Sequence, residues 1–189
     1  MSKKVDGRIA RSKSSMAMAL ERLLQQKCLT DITVKDITDA AQLSKNTFYN
    51  NFSCKQDLLD YLLSGYSDEV KELVAKGGPY KQEDKIMRFT QAISHILFTK
   101  IEKFRKIFRC DVYREVYWGI MTSFKNQLMI DLPFNFRPEA TKTEVELACD
   151  FFSGALANSV YSVSRNGFSG TENDFYGLIY HVWKLIFQS

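Results

Sequence analysis

Three observations predict an all-α chain. Apolar residues recur every three or four positions along most of its length and nowhere alternate with period two for long enough to make a strand. Only 9 Gly and 3 Pro punctuate the 189 residues, which suits long helices better than a strand-and-turn architecture. Where the apolar stripes begin there is repeatedly a Ser or Thr with an acid or amide three residues on, the pattern of a capping box. With 45% hydrophobic and 25% charged residues, the composition is that of an ordinary globular protein with a sizeable core.

The elements follow in order. A first helix is expected over 8–27, with Ile9, Met16, Leu20, Leu23 and Leu24 on one stripe. Thr33 and Asp36 form a T-x-x-D box that opens a short helix, Val34 to Ala41, with Ile37, Ala40 and Ala41 inward. Gln42-Leu43 make the turn, and Ser44 caps a helix from Lys45 to Asn51. Ser53, with Gln56, starts a fourth helix that runs to about Lys76 and carries Leu59, Leu62, Leu63, Tyr66, Val70, Leu73 and Val74. Gly77-Gly78-Pro79 is the clearest break in the chain. Beyond it, residues 82–99 show Ile86, Phe89, Ile93, Ile96 and Leu97 on one helical face, and residues 100–130 read as a short helix and a longer one. Pro133 and Pro138 mark a loop over 131–142; Thr143 with Glu146 opens a helix to about Arg165. Residues 166–171 form a turn, and Asn173 or Asp174 caps a last helix to Phe187.

Composition narrows the function. The net charge is +4, but its placement matters more: Lys3, Lys4, Arg8, Arg11, Lys13, Arg22 and Lys27 face only Asp6 and Glu21 in the first 27 residues. A basic tail ahead of a helical domain suits an anionic polymer, although on charge alone a solvated tail explains it as well. No apolar run approaches a membrane span, and the start MSKKVDGRIARSK has no apolar signal core, so a cytoplasmic protein without membrane partners is expected. Cys28, Cys54, Cys110 and Cys149 form no CxxC or Cys/His cluster and read as reduced, partly buried thiols. His95 and His181 are isolated and read as hydrogen-bonded core or interface residues. There is no Ser/His/Asp set, no HExxH and no Gly-rich phosphate loop, so neither an enzyme nor a metal or cofactor is expected.

The stretch TVKDITDAAQLSKNTFYNNFSCK, residues 33–55, meets the requirements of a helix-turn-helix. Its second helix opens on short donors and acceptors. Lys45 can donate to guanine or phosphate, Asn46 can pair with adenine, and the Thr47 methyl can meet thymine. The helix N-termini capped by Thr33 and Ser44 can receive phosphate oxygens. Phe48 and Phe52 are expected to lock the helix to the core, while Tyr49 offers a ring and a hydroxyl. Arg8, Arg11 and Lys13 are candidates for backbone or minor-groove contact.

Thr33-Val34-x-Asp36-Ile37, Ala40-Ala41, Leu43-Ser44-Lys45-x-Thr47-Phe48-Tyr49, Phe52 and Lys55-x-x-Leu58 together resemble the signature of the tetracycline-repressor (TetR) family. The resemblance covers residues 8 to about 62. It implies that Thr33, Tyr49 and Lys55 touch phosphates and that positions 45 to 47, with Asn50 and Asn51 nearby, face the groove. It also implies a homodimer on a palindromic double-stranded operator and a C-terminal domain that binds a small-molecule effector. Two positions depart from the family pattern: Gln42 stands where the turn usually has Gly, and Asn51 where His is often found.

The predicted architecture is therefore an N-terminal three-helix domain over 1–62, joined by a long helix to a larger effector-binding and dimerisation domain over 63–189. Phe89, Phe98, Phe104, Phe108, Tyr113, Tyr117, Trp118 and Phe124 gather in that second part, and most are expected in the core. Tyr113, Tyr117, Trp118 and Gln127 are the candidates for lining an effector pocket. The run Ser153-Gly154-Ala155-Leu156-Ala157-Asn158-Ser159, with Phe151, Phe152 and Tyr161, can make half of an intermolecular four-helix bundle with the last helix. Phe152, Ala155, Asn158, Ser159 and Trp183 are its interface candidates. The combined reading is a repressor released from DNA by an effector. The alternative is a helix-turn-helix protein without an effector that docks a second protein through its C-terminal domain.

Overall fold

The computed structural model describes residues 2–76, 82–108, 113–131 and 139–187. Among them are nine α-helices and one 3-10 turn, and no strand. The helices are α1 (Ser2–Leu23), α2 (Val34–Ala41), α3 (Lys45–Tyr49), α4 (Lys55–Lys76), α5 (Gln82–Thr99), α6 (Ile101–Phe108), α7 (Tyr113–Asp131), α8 (Lys142–Asn166) and α9 (Glu172–Phe187), with the 3-10 turn at Leu29–Asp31. The all-α expectation holds. The break at Gly77-Gly78-Pro79, the Pro133 and Pro138 loop, Cys110, and the side chains of Ile86, Tyr113, Trp183 and Ile186 lie outside the described residues.

α1, α2 and α3 close a small core with the first turns of α4. Met16, Leu20, Leu24, Ile32, Ile37, Phe48, Leu58 and Leu59 are fully buried there. α1 starts at Ser2, earlier than expected, and ends at Leu23, while Ile9 is 44% exposed and does not join the inward stripe. The spacing of that stripe is helical, but its first residue is left uncovered. On α2 the inward residues are Ile37 and Thr38, with Ala41 half-buried and Ala40 exposed, so Thr38 takes the place expected for Ala40. Thr38 can be buried because its Oγ1 donates to the Lys35 carbonyl at 3.0 Å.

α4 runs unbroken past residue 62 and joins the two parts of the chain. Its start is held by Asp57, whose Oδ2 accepts from the Ser53 amide at 2.9 Å, whereas the expected partner Gln56 donates to Asp60. In the second part α4, α5, α6, α7 and α8 pack around Phe89, Ile93, Leu97, Phe104, Ile107, Phe108, Phe124, Phe152, Leu156 and Val160, while α9 lies on α5.

Two further helices start earlier than expected. Thr141, not Thr143, caps α8: its Oγ1 accepts from the Glu144 amide at 3.3 Å and Glu144 Oε2 accepts from the Thr141 amide at 2.7 Å. Thr171, not Asn173 or Asp174, caps α9, with Asp174 as its capping-box acid at 2.8 Å. Each box satisfies two backbone N–H groups at its helix start, one on the threonine and one on the acid.

The turn after α2 is the one described non-glycine residue with positive φ. Gln42 sits at φ 56°, ψ 43°, in the left-handed region, where its amide returns to Thr38 and Asp39. A Cβ is unfavourable there. Replacing Gln42 with glycine should therefore stabilise the fold by about 0.5–1 kcal/mol, after the extra freedom glycine gives the unfolded chain. A urea midpoint equal to or below wild type would count against strain at this turn.

Candidate nucleic-acid interface and effector site

The reading head is built from its caps outward. Thr33 Oγ1 accepts from the Asp36 amide at 3.0 Å, and Asp36 Oδ2 accepts from the Thr33 amide at 2.8 Å and from Lys27 at 2.9 Å. The Lys27 ammonium, helped by Thr33, holds the Asp36 carboxyl well below the usual carboxylate range. Ser44 Oγ accepts from the Thr47 amide at 3.1 Å and lies 2.9 Å from the Thr47 hydroxyl. α3 has only five residues, too few to stand alone, so tertiary contact must fix it. Phe48 and Phe52 supply that contact: both are buried, their rings 5.9 Å apart, and Phe52 continues to Tyr61 at 5.6 Å. Lys13 from α1 lies over the Phe52 and Tyr61 rings at 5.6 and 5.8 Å, which occupies this candidate phosphate contact on the head's own aromatics.

The anchoring leaves the opposite side of α3 open. Thr33, Ser44, Lys45, Asn46, Tyr49 and Asn50 are exposed and Thr47 is half-buried; Arg8 and Arg11 are exposed on α1. Two of the sequence candidates have other work. Asn51 donates its amide to the Thr47 carbonyl at 2.7 Å, closing the end of α3. Lys55 donates to the carbonyls of Leu29 at 2.7 Å and Ile32 at 2.5 Å, tying α4 to the end of the 3-10 turn and leaving one N–H free. Sequence reasoning missed this clasp because its acceptors are main-chain atoms 23 and 26 residues away.

Residues 18–62 match the family of bacterial regulatory proteins, tetR family. The chain belongs to that family. This tetR-family chain is a DNA-binding transcriptional regulator. It is 23% identical over 141 residues to the HTH-type transcriptional repressor KstR2 of Rhodococcus jostii (strain RHA1), covering 60% of this chain and 68% of that protein. Its fold is similar to that of a TetR-family transcriptional regulator from Rhodococcus sp., with a TM-score of 0.69 at 10% identity over 94% of this chain and 99% of that one. It is also similar to the dihydroxyacetone kinase operon activator DhaS, with a TM-score of 0.63 at 18% identity over 94% and 96% of the two chains.

Behind the head of this tetR-family chain, α1 is tied to the second part by one carboxylate. Glu21 Oε1 accepts from the Tyr66 hydroxyl of α4 at 2.7 Å and from Lys103 of α6 at 2.9 Å. Lys100 pairs with Glu69 at 2.5 Å and lies 5.0 Å from the Tyr66 ring centre. Burial pushes the Glu21 carboxyl up, but the Lys103 and Tyr66 hydrogen bonds and the two lysine charges outweigh it, and the net shift is downward. Burial first, and Glu21 second, hold the Tyr66 phenol protonated. A lowered folded-state value means that this contribution is present above the ordinary glutamate range and is lost as pH falls through the folded value. Glu21→Ala should therefore cost about 1–3 kcal/mol at pH 7, by leaving the buried Tyr66 hydroxyl without its acceptor, and less at pH 3. Equal losses at the two pH values in urea titrations would show that the carboxylate charge is not what holds the junction.

Tyr66 also faces a small, half-open pocket of about 40 Å³, lined by Leu63, Ser67 and Val70 of α4, Ile93, Ile96 and Leu97 of α5, Phe104 of α6, Ile120, Ser123 and Phe124 of α7, and Val160 of α8. Among the described candidates, Tyr117, Trp118 and Gln127 do not line it. Tyr117 turns to α8, its hydroxyl 3.4 Å from the Gly154 carbonyl oxygen. Gln127 is half-buried further along α7. Trp118 is 54% exposed and lines a separate open cleft of about 590 Å³ with Gln56, Asp60, Leu63, Arg114, Gly119, Thr122 and Ser123.

Of the dimer candidates, Phe152 is buried within its own chain, which corrects its assignment to a free face. Ala155 and Asn158 are exposed, and Ser159 is half-buried with its hydroxyl on the Ala155 carbonyl at 2.9 Å. Leu147 and Phe151 on α8 and Leu178 and Val182 on α9 are exposed apolar residues. Both histidines are exposed: His95 meets Glu172 at 3.3 Å and His181 meets the Gly177 carbonyl at 2.8 Å. Cys28 and Cys149 are free thiols, half-buried and buried, but Cys54 is exposed, contrary to the expectation for all four. No group of potential metal ligands occurs among the described residues, and no described helix is long and apolar enough to cross a membrane.

Proposed function

We propose that this chain is a repressor that binds a palindromic operator as a homodimer and leaves it when a small molecule enters the C-terminal part. The observation that carries the reading is α3: a helix locked by Phe48 and Phe52 whose outer side presents Lys45, Asn46 and Tyr49, all exposed, beside its Ser44 cap. Residues 1–62 act as the reading head and 63–189 as the regulatory part. Lys45, Asn46 and Thr47 meet base edges, while Thr33, Ser44 and Tyr49 meet phosphates, as do the exposed Arg8 and Arg11. Asn50 flanks the groove contact; Asn51 and Lys55 act mainly by holding α3 and α4 in place. Two heads on a dimer reach successive major grooves about 34–36 Å apart. The repressor sense follows the likeness to KstR2, and the protein acts in the cytoplasm, where its DNA lies.

A gel-shift titration on the DNA upstream of its own gene tests the reading, with footprinting to locate the site. One two-fold-symmetric site bound far more tightly than competitor DNA is expected, and binding without preference would sink it. In a transcription assay from that site, added protein should lower the yield; a rise would make it an activator, the role that DhaS carries in its name.

The stripe Leu147, Phe151, Ala155 and Asn158 on α8, with Leu178 and Val182 on α9, is the self-complementary face of the dimer. Phe151→Asp buries nothing in the monomer, since Phe151 is 64% exposed, but puts a charge at the centre of that face. Sedimentation should show monomers at concentrations where wild type is dimeric, with operator affinity reduced at least about tenfold. A dimer that survives Phe151→Asp unchanged would place the interface elsewhere.

A further inference from the structure

α1 packs chiefly on α2 and α4, and α4 carries the head onward as one unbroken helix from Lys55 to Lys76. A second connection is polar and sits on the last turn of α1. Glu21 Oε1 accepts from Tyr66 of α4 and from Lys103 of α6, so a single oxygen holds three helices at one point. The surroundings brace it from the α6 side. The Phe104 ring meets the Tyr66 ring at 5.2 Å, and Lys100, just before α6, pairs with Glu69 of α4 at 2.5 Å. The Glu21 side chain is 19% exposed and that of Lys103 43%, so the pair is partly withdrawn from water and less screened than a surface pair. Apolar packing has no preferred direction, whereas a hydrogen bond fixes both a length and an angle. The tie therefore restrains what packing on one helix leaves free, the turning of the head about α4.

We propose that Lys103 is a positioning residue for DNA binding, which acts through Glu21 to fix the angle of each head and so the half-site spacing that a dimer accepts. The inference rests on the two-headed reading above and deepens it, since the partner becomes an operator of one spacing. One base pair more or less between the half-sites shifts the second by about 3.4 Å and turns it by about 34–36° around the duplex. A head tied to α4 and α6 together cannot follow that turn, but a head carried by α4 alone can swing part of the way. Loss of the tie has two consequences of different size. On the correct operator the freed head must be ordered again on binding, which lowers affinity a little. On operators of the wrong spacing the same freedom removes most of the penalty. Lys103 does not line the pocket beside Tyr66, so a change there tests the tie without altering that pocket's wall.

The test is a gel-shift series on the full chain, with the operator located by footprinting and with versions lengthened or shortened by one base pair at its centre. Wild type should bind either altered operator at least about tenfold more weakly than the true one. Lys103→Met keeps the apolar stem and removes the charge. It should bind the true operator within about fivefold of wild type, and the altered ones within about threefold of the true one. A urea midpoint near that of wild type shows that this variant is folded. Lys103→Arg, which keeps a charged donor, should restore the wild-type penalty. Glu21→Gln keeps an acceptor for Tyr66 but loses the charge, and gives the same readout from α1 if Lys103→Met does not fold. The wild-type penalty persisting in the folded variant overturns the inference and leaves the two-headed reading intact. Selectivity lost equally in Lys103→Arg overturns it too, since the missing charge would then not be the cause. Wild type that binds all three operators alike, on a footprint with two-fold symmetry, overturns the fixed spacing alone. A footprint without that symmetry overturns the two-headed reading itself.

Discussion

Phe48→Ala should cost about 3–5 kcal/mol, the largest loss expected from any single change in the head. Phe48 is fully buried, and its ring meets Tyr49 at 5.4 Å and Phe52 at 5.9 Å. The size of the effect comes from the brevity of α3. Five residues give too few hydrogen bonds to offset helix nucleation, so the helix exists because its one buried ring is held. Domains of this size have about 5–15 kcal/mol in total, and the head should therefore unfold at much lower urea than wild type, taking DNA binding with it. Tyr49→Phe is the control. Tyr49 is 59% exposed, so losing its hydroxyl should leave the urea midpoint unchanged while weakening DNA binding by about 1 kcal/mol. A Phe48→Ala protein with a near-wild-type midpoint would mean that α3 is held by its caps and not by its ring.

Lys45→Ala and Asn46→Ala should do the opposite, leaving stability within about 0.5 kcal/mol and each reducing operator affinity by about 1–3 kcal/mol, roughly 5- to 150-fold. Both residues are exposed on α3 in its first turn, the part of a recognition helix that approaches the bases. The two losses should differ in kind. A lysine ammonium in the groove neutralises phosphate charge and releases a counterion even while it donates to a base, so Lys45→Ala should make the dependence of log K on log salt shallower by about 0.9. Asn46→Ala should leave that slope unchanged and relax the choice of base at one position of each half-site. If both variants bind the operator like wild type, α3 is not the recognition helix and the proposed contacts fall with it.

The parts of the head legible in the sequence are those fixed by neighbours along the chain. The caps that start α2 and α3 were readable as patterns: Thr33 has its expected partner Asp36, and Ser44 caps α3 as expected, accepting from the Thr47 amide. Phe48 and Phe52 were readable as a lock because they stand four residues apart in an otherwise polar stretch. The same local rule was ambiguous in the second part. Thr141-Lys142-Thr143-Glu144-Val145-Glu146 offers two threonines, each with an acid three residues on, and only the earlier one is the cap of α8. At α4, Asp57 competed with Gln56 and won.

Sequence alone determined the all-α class, the order of the helices, the start signals of α2 and α3, and the likeness of residues 8 to about 62 to the tetR family head. These depend on period, capping and short-range chemistry, which are properties of a few consecutive residues. Tertiary structure decided which apolar positions are covered: Ile9 and Phe151 stay exposed, while Phe152 and Thr38 go inside. It also decided that Lys55 clasps two carbonyls and that Glu21 joins α1 to α4 and α6. Period tells which residues share a face, but only the packing of helices distant in sequence tells what, if anything, meets that face.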